Sequence, residues 1–339
     1  MTQAILLVGG MGTRLMPLTK SVPKPMLPLA GLPVTEHQLA MAKRAGITSI
    51  VLATSYLSEV FLPYFGDGSA WDIKIQYAIE DAPLGTGGAI RNAAQLLNAN
   101  ESIVILNGDV LSSHDLSAQI AFHEAMDADV TLHLTHVEDA RAFGCVPIDS
   151  DGRVSAFLEK MENPITNTIN AGCYVFHPRV IEKIPADAVV SIERETFPSL
   201  IQESRRIFAV VDDSYWLDIG TPSALLKGSA DLVAGRANAS ALDSADLKFR
   251  SHEYVAMAGA VIDPSAQIDG GSAIGSLVHI GHEAKIHGSI ISDGATISEG
   301  VSIVNSFISA GAHVPRNTDL LNEYFGNEGV FPLITTNSR

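Results

Sequence analysis

Cysteine is nearly absent: only Cys145 and Cys173 occur in 339 residues. Two thiols, each inside an apolar stretch, exclude a disulfide framework and point to a reducing, cytoplasmic setting. No run of eighteen apolar residues occurs, so no membrane-spanning helix is expected. Met1 to Val8 runs straight into an apolar strand without a basic stretch ahead of it, and no secretory leader is expected. Positive charge is scarce: 22 Lys and Arg stand against 38 Asp and Glu, a formal net charge of −16. Such a chain has no general attraction for nucleic acid or anionic lipid. It can bind an anionic small molecule only through a local device: backbone N–H groups, a few placed cations or a metal ion.

Hydrophobic residues make up 46% and charged residues 18%, enough for a substantial core and too apolar for a disordered chain. Over the first two thirds, short apolar runs alternate with helical patterns. Ala4–Val8, Ile50–Ala53, Ile103–Leu106 and Val130–Leu134 read as strands. Val34–Ala45 reads as a helix; Ile90, Ala94 and Leu97 share one helical face, and Leu116 and Ile120 begin another. That alternation predicts an α/β, Rossmann-like, mostly parallel sheet.

The pattern changes near residue 250. Ile262, Ile268, Ile274, Ile280 and Ile286 recur every six residues. After a one-residue slip Ile291, Ile297 and Ile303 resume the period, and after another Ile308 and Val314 complete it. A six-residue period fits the hexapeptide repeat of a left-handed parallel β-helix of about three coils. The expected division is a catalytic domain over 1–235 with a linker helix over 223–235, a β-helix over 251–315, and an unassigned tail over 316–339. Short β-helices leave open ends, so a homo-oligomer, dimer or tetramer, is expected.

One device for anions follows the first strand: Gly9-Gly10-Met11-Gly12-Thr13-Arg14, continuing to Pro23-Lys24-Pro25. Glycines there let backbone N–H groups approach phosphate oxygens, and Arg14 and Lys24 add fixed positive charge. Neither standard phosphate fingerprint is present. Asp109 and Asp218, far apart in sequence, each follow an apolar or aromatic run. Alone, either reads as a cap or turn; together they offer hard oxygens for Mg²⁺. Asp149 and Asp151 before Gly152 read as a hairpin turn.

The string from Gly9 to Pro25 resembles the signature of the sugar-1-phosphate nucleotidyltransferases. Further segments follow in the family's order: Pro83 to Gly88, Asn107-Gly108-Asp109, Phe143-Gly144-Cys145, Phe157 to Lys160, Asn170-Ala171-Gly172 and Tyr215 to Thr221. The resemblance implies attack of a sugar-1-phosphate oxygen on the α-phosphorus of an NTP, expelling pyrophosphate. It implies that Leu7, Gly9, Gly10, Gly12, Thr13, Arg14, Lys24, Glu80, Gly85, Thr86 and Gly87 hold the nucleotide. Gly144, Glu159, Lys160 and Asn170 would hold the sugar phosphate, Asn170 on a sugar-facing turn. Asp109 and Asp218 would hold Mg²⁺, with Arg14 and Lys24 beside them as catalytic residues.

Glu80 followed by Pro83 to Ala93 is similar to the guanylyl branch, and Arg141 to Asp149, Phe157 to Lys160 and Ile169 to Phe176 are similar to actinobacterial mannose-1-phosphate guanylyltransferases. That favours GTP and mannose-1-phosphate. Glu80 either accepts from guanine or is an exposed acid at a strand end. Thymidylyl, uridylyl or adenylyl transfer to glucose-1-phosphate is the alternative, and an inactive regulatory subunit a third. His279, His282 and His287 read as exposed or inter-subunit residues.

Overall fold

The computed structural model describes residues 3–333 except Met11 and Tyr56. By its internal contacts the chain forms two compact units: Met1–Gly10 with Gln38–Trp216, and Met11–His37 with Leu217–Arg339. The expected boundary near residue 235 is therefore not where the contacts divide the chain.

In the first unit Gln3–Leu7, Ser49–Thr54, Lys74–Ile79 and Ile103–Asn107 run parallel. Ile5, Val51 and Ile105 are fully buried, as continuous apolar strands of covered parallel sheets are. The helix Gly85–Ala93 packs Ile90 and Ala93 into the same core. The helix Leu116–Ala125 starts where Asp115 accepts a hydrogen bond from Ala118 N–H at 2.9 Å, an ordinary N-cap. Gln3–Leu7 lies between Ser49–Thr54 and Ile103–Asn107. The strand order thus reverses beside the first strand, and in open α/β sheets ligands bind beyond the carboxyl ends at such a point.

The nine-stranded sheet is more mixed than the alternation predicts. Thr168–Phe176 runs antiparallel to both Ile103–Asn107 and Val130–His136. Asn170-Ala171-Gly172, expected as a turn, lies inside this strand. The register shifts between Asn170 and Tyr174, and Gly172 has φ of 76°, so the segment is a bulge that re-aims its side chains. The hairpin reading of residues 149–152 matches the structure: Asp149 accepts from Asp151 N–H and Arg153 N–H, both at 2.9 Å.

In the second unit three parallel ladders build the β-helix, with Ile262, Ile280, Ile297 and Val314 in one register and Ile268, Ile286, Ile303 and Leu320 in another. The two slips fall at one corner. Gly270-Gly271 turns the first coil, whereas Gly288 and then Asn305 turn the next two with one residue fewer, each at positive φ. Beside them Ser272, Ser289 and Ser306 form a buried column in which Ser289 N–H donates to Ser272 Oγ at 3.1 Å and Ser306 N–H to Ser289 Oγ at 3.0 Å. The ladders hold four parallel strands on two faces and five on the third, more than the expected three coils. They also run past Pro315: Asp319–Leu321 pairs with Ser302–Val304, and Glu323–Gly326 turns into an antiparallel partner, Gly329–Pro332. Residues 334–339 of the expected tail lie outside the described residues.

The helix Pro222–Val233 belongs to this unit. Ala30 N–H donates to its Ser229 Oγ at 2.9 Å, and Gly271 has no room for a Cβ, which would stand 2.7 Å from Ala230. A Cβ on Gly31 would lie 2.6 Å from the Met257 sulfur. These contacts are why residues 11–37 group with the β-helix. His279, His282 and His287 are exposed; His287 pairs with Asp269 at 2.6 Å and His282 with Ser265 at 2.8 Å.

Candidate active site

Leu7 ends the first strand, and Gly9 and Gly10 follow it; Met11 of this loop lies outside the described residues. Gly108 N–H donates to Leu7 O at 3.0 Å. A Cβ on Gly108 would lie 2.4 Å from that same oxygen, so only glycine lets the Asp109 segment close on the first strand. Gly9 likewise faces Ser55 Oγ, 2.7 Å from where its Cβ would stand. Gly10 is different: φ is 141° and nothing lies within 4 Å of a Cβ position. Its openness suits backbone approach to a ligand.

The second glycine segment, expected as a loop, supplies the first turn of the helix Gly85–Ala93, and it is built for packing against its neighbour. Cβ atoms on Gly85, Gly87 and Gly88 would meet the backbone or side chains of Ala188 and Val190 within 3 Å. Gly87 N–H donates to Val190 O at 2.8 Å. Thr86 Oγ1 donates to Glu193 Oε2 at 2.8 Å and accepts from Ile192 N–H at 2.9 Å. Glu80 is half-buried and its Oε2 accepts from Leu84 N–H at 3.1 Å. Burial pushes its carboxyl up, and the Leu84 hydrogen bond opposes that. Glu80 therefore closes the turn that leads into the glycines, which neither sequence reading of it included.

The residues of the first unit that the sequence assigns to the sugar phosphate share one neighbourhood, with Cys145 paired to Ile169. Glu159 pairs across the ladder with Gly144, and a Cβ on Gly144 would lie 2.8 Å from Glu159 Oε2. Lys160 Nζ stands 3.7 Å from Glu159 Oε1, with its side chain largely exposed. Asn170 Nδ2 donates to Tyr174 Oη at 2.7 Å, and its Oδ1 accepts from Gly172 N–H at 3.1 Å. Tyr174 is fully buried, and burial, then the nearby Glu193 charge, hold its phenol un-ionised. Trp216 Nε1 donates to Ala171 O at 2.9 Å.

In the second unit Arg14, Lys24 and Asp218 come together. Arg14 Nη2 is 3.8 Å from Asp218 Oδ2, and Lys24 Nζ is 3.8 Å from Asp218 Oδ1. Lys24 is 8% exposed, so its charge acts in a medium less polar than water. Gly12, at φ of 57°, leaves no room for a side chain: a Cβ would lie 3.0 Å from both Lys24 and Thr19. Thr13 opens a short 3₁₀ turn that carries Arg14. Gly220 belongs to the Tyr215 to Thr221 segment, where the sequence reading assigns it no role of its own. Its Cβ would stand 2.7 Å from Arg14 Nη2 and 2.9 Å from Asp218 Oδ2. Glu193, with Arg194 and Glu195 next to it in the chain, is a residue the sequence reading passed over, because no spacing reveals its partners. Among the described residues no group of three or more His, Cys, Asp or Glu side chains could hold a metal ion, so the metal reading rests on aspartates together with substrate oxygens.

A family model described as nucleotidyl transferase matches residues 3–235. The mannose-1-phosphate guanylyltransferase of Mycobacterium tuberculosis is 49% identical over 303 residues, 88% of this chain and 82% of that one. Mannose-1-phosphate guanylyltransferase 1 of Arabidopsis thaliana is 34% identical over 305 residues, 89% and 82% of the two chains. Among solved structures, HddC from Yersinia pseudotuberculosis is 30% identical with a TM-score of 0.59, covering 68% of this chain and 98% of that one; its complex with GMP-PN gives a TM-score of 0.57. By the family model over residues 3–235 and the 49% identity over most of both chains, the chain belongs to the nucleotidyl transferase family.

Proposed function

We propose that the protein transfers a guanylyl group from GTP to mannose-1-phosphate, giving GDP-mannose and pyrophosphate. The observation that carries this reading is the 49% identity over most of both chains to a mannose-1-phosphate guanylyltransferase. A phosphate oxygen of mannose-1-phosphate attacks the α-phosphorus of GTP; the bond from that phosphorus to the β-phosphate oxygen breaks, and pyrophosphate leaves with the electron pair. Such a reaction needs positioning and charge neutralisation more than a nucleophilic side chain.

Leu7, Gly9, Gly10, Gly12 and Thr13 line the phosphates with backbone groups. Arg14 and Lys24 stabilise charge on the transferring and leaving phosphates. Glu80 and Gly85, Thr86 and Gly87 shape the base site. Gly144, Glu159 and Asn170 take the mannose hydroxyls, and Lys160 takes its phosphate. Asp109 and Asp218 are the carboxylates assigned to Mg²⁺. The fit of Asp218 is chemical: a hard carboxylate with 27% of its side chain open to solvent, flanked by cations at 3.8 Å, longer than a charge-assisted hydrogen bond. When bound, the metal neutralises phosphate charge.

No helix among the described residues is long and apolar enough to cross a membrane, and the two buried free thiols agree with a cytoplasmic reaction. The last described coil leaves Leu321 and Val330 exposed, which supports a homo-oligomer. Incubation with GTP, mannose-1-phosphate and Mg²⁺ tests the reaction: GDP-mannose and pyrophosphate should appear in equal amounts by anion-exchange chromatography. Absence of GDP-mannose would end the proposal.

A further inference from the structure

Asp109 sits in a short segment between two strands, Ile103–Asn107 and Val110–Ser112. Its backbone is gripped from one side chain. Gln38, on the helix Val34–Arg44, donates from Nε2 to Asn107 O at 2.6 Å and to Val110 O at 3.1 Å. Both acceptors are carbonyls, so the nitrogen end of the amide must face them. The two bonds bracket Gly108 and Asp109. Gln38 is 4% exposed, and its Oε1 is buried without a hydrogen-bond partner, a costly arrangement for an amide. A methionine would fill the same space without that cost. The amide earns its place through the two carbonyls.

We propose that Gln38 is a positioning residue for Asp109. It fixes the backbone on both sides of the aspartate and so presents the carboxylate to the metal–nucleotide complex. This rests on the assignment of Asp109 to Mg²⁺ made above. Gln38 acts through the Asn107 and Val110 carbonyls. Residues that orient a metal ligand affect metal affinity by about 10- to 100-fold when removed.

The test is direct metal binding. Mn²⁺ is titrated against the full chain with a non-reactive GTP analogue, and free Mn²⁺ is read by electron paramagnetic resonance. Gln38→Met keeps volume and removes both donors. It should weaken Mn²⁺ about tenfold while affinity for the analogue without metal stays unchanged. A purely structural role would lower the melting temperature and leave Mn²⁺ affinity as in the parent, and that result overturns the proposal. If Gln38→Met does not fold, Gln38→His, which retains one donor, gives the same readout. Asp109→Asn separates the two layers. Unchanged Mn²⁺ affinity in Asp109→Asn removes the metal assignment itself; a loss there with none in Gln38→Met removes only the role of Gln38. In the double variant the losses should not add, as expected for residues acting through one segment.

Discussion

Thr86 and Glu193, 107 positions apart, share a 2.8 Å hydrogen bond that ties the glycine-rich first turn of the helix Gly85–Ala93 to the short π-helix Ile192–Thr196. Ser191 Oγ donates to the same carboxylate oxygen at 3.0 Å, so that first turn is held by a small polar network. Thr86→Val removes a donor and an acceptor at once and leaves Ile192 N–H without its side-chain partner. Stability in urea should fall by about 1–3 kcal/mol. KM for GTP should rise several-fold with kcat little changed, since the network is present in ground and transition states alike. Parent values of both would contradict the turn's dependence on this bond.

Asp218→Asn should leave the fold intact, because it keeps the size and shape of the side chain and removes only its charge. Turnover should fall on the order of a hundredfold or more, roughly 3 kcal/mol of transition-state stabilisation. Near-normal turnover at low Mg²⁺ would refute the metal role.

Lys24→Gln keeps length and removes the charge beside Asp218. If Lys24 serves the transition state, kcat falls more than nucleotide affinity does. Weakened binding at unchanged kcat would make Lys24 a ground-state anchor only.

Truncation near Arg250 tests how modular the chain is. Sequence alone makes the β-helix separable, since every expected site residue precedes residue 222. The structure argues otherwise: residues 11–37, with Arg14 and Lys24, share a compact unit with the β-helix, and Gly31 packs on Met257. The cut also removes Tyr254–Met257, the strand that pairs with Leu247–Arg250. The truncate should lose most activity and show fast proteolysis within residues 11–37. A soluble truncate with parent turnover would contradict this.

Acid should destabilise the protein well before its carboxylates titrate. His133 is 1% exposed and stacked on His114 with ring centroids 3.9 Å apart; burial, then the His114 charge, lower it to about 3. Burial lowers His37 and His123 to about 4 each. In the unfolded chain these groups titrate near pH 6.5. Their folded values are depressed, so below that pH the unfolded chain binds more protons. The stability they contribute is fully present above about pH 6.5 and is lost as the pH falls toward 4. Each should cost about 1.4 kcal/mol per pH unit well inside that window. Urea midpoints between pH 7.5 and 5 check it, and a flat profile would contradict it.

Much of this was legible from residue patterns because they carry physical periods. The parallel strands are apolar runs covered by packing, and the six-residue isoleucine spacing encodes the ladder register. The slips were visible, but their cause was not, since it lies in the φ of Gly288 and Asn305. Residues 319–332 were missed because Leu320 and Phe325 replace isoleucine at the inward positions. The antiparallel strand Thr168–Phe176 hid behind its bulge at Gly172. Gly85, Gly87 and Gly88 were seen as a loop, yet the neighbour that demands them, Val190, is distant in sequence. Gln38 and Glu193 carry no local signal; only tertiary contact makes them matter.

The central claim is the pairing of GTP with mannose-1-phosphate, and competition among substrates tests it most directly. Pyrophosphate release is measured with ATP, CTP, GTP, TTP and UTP, each against mannose-1-phosphate and glucose-1-phosphate. The account predicts that kcat/KM for GTP with mannose-1-phosphate exceeds every other pair by at least about tenfold, a difference of roughly 1.4 kcal/mol in transition-state binding. A higher value for any thymidylyl, uridylyl or adenylyl transfer to glucose-1-phosphate, or no release with any pair, would contradict it.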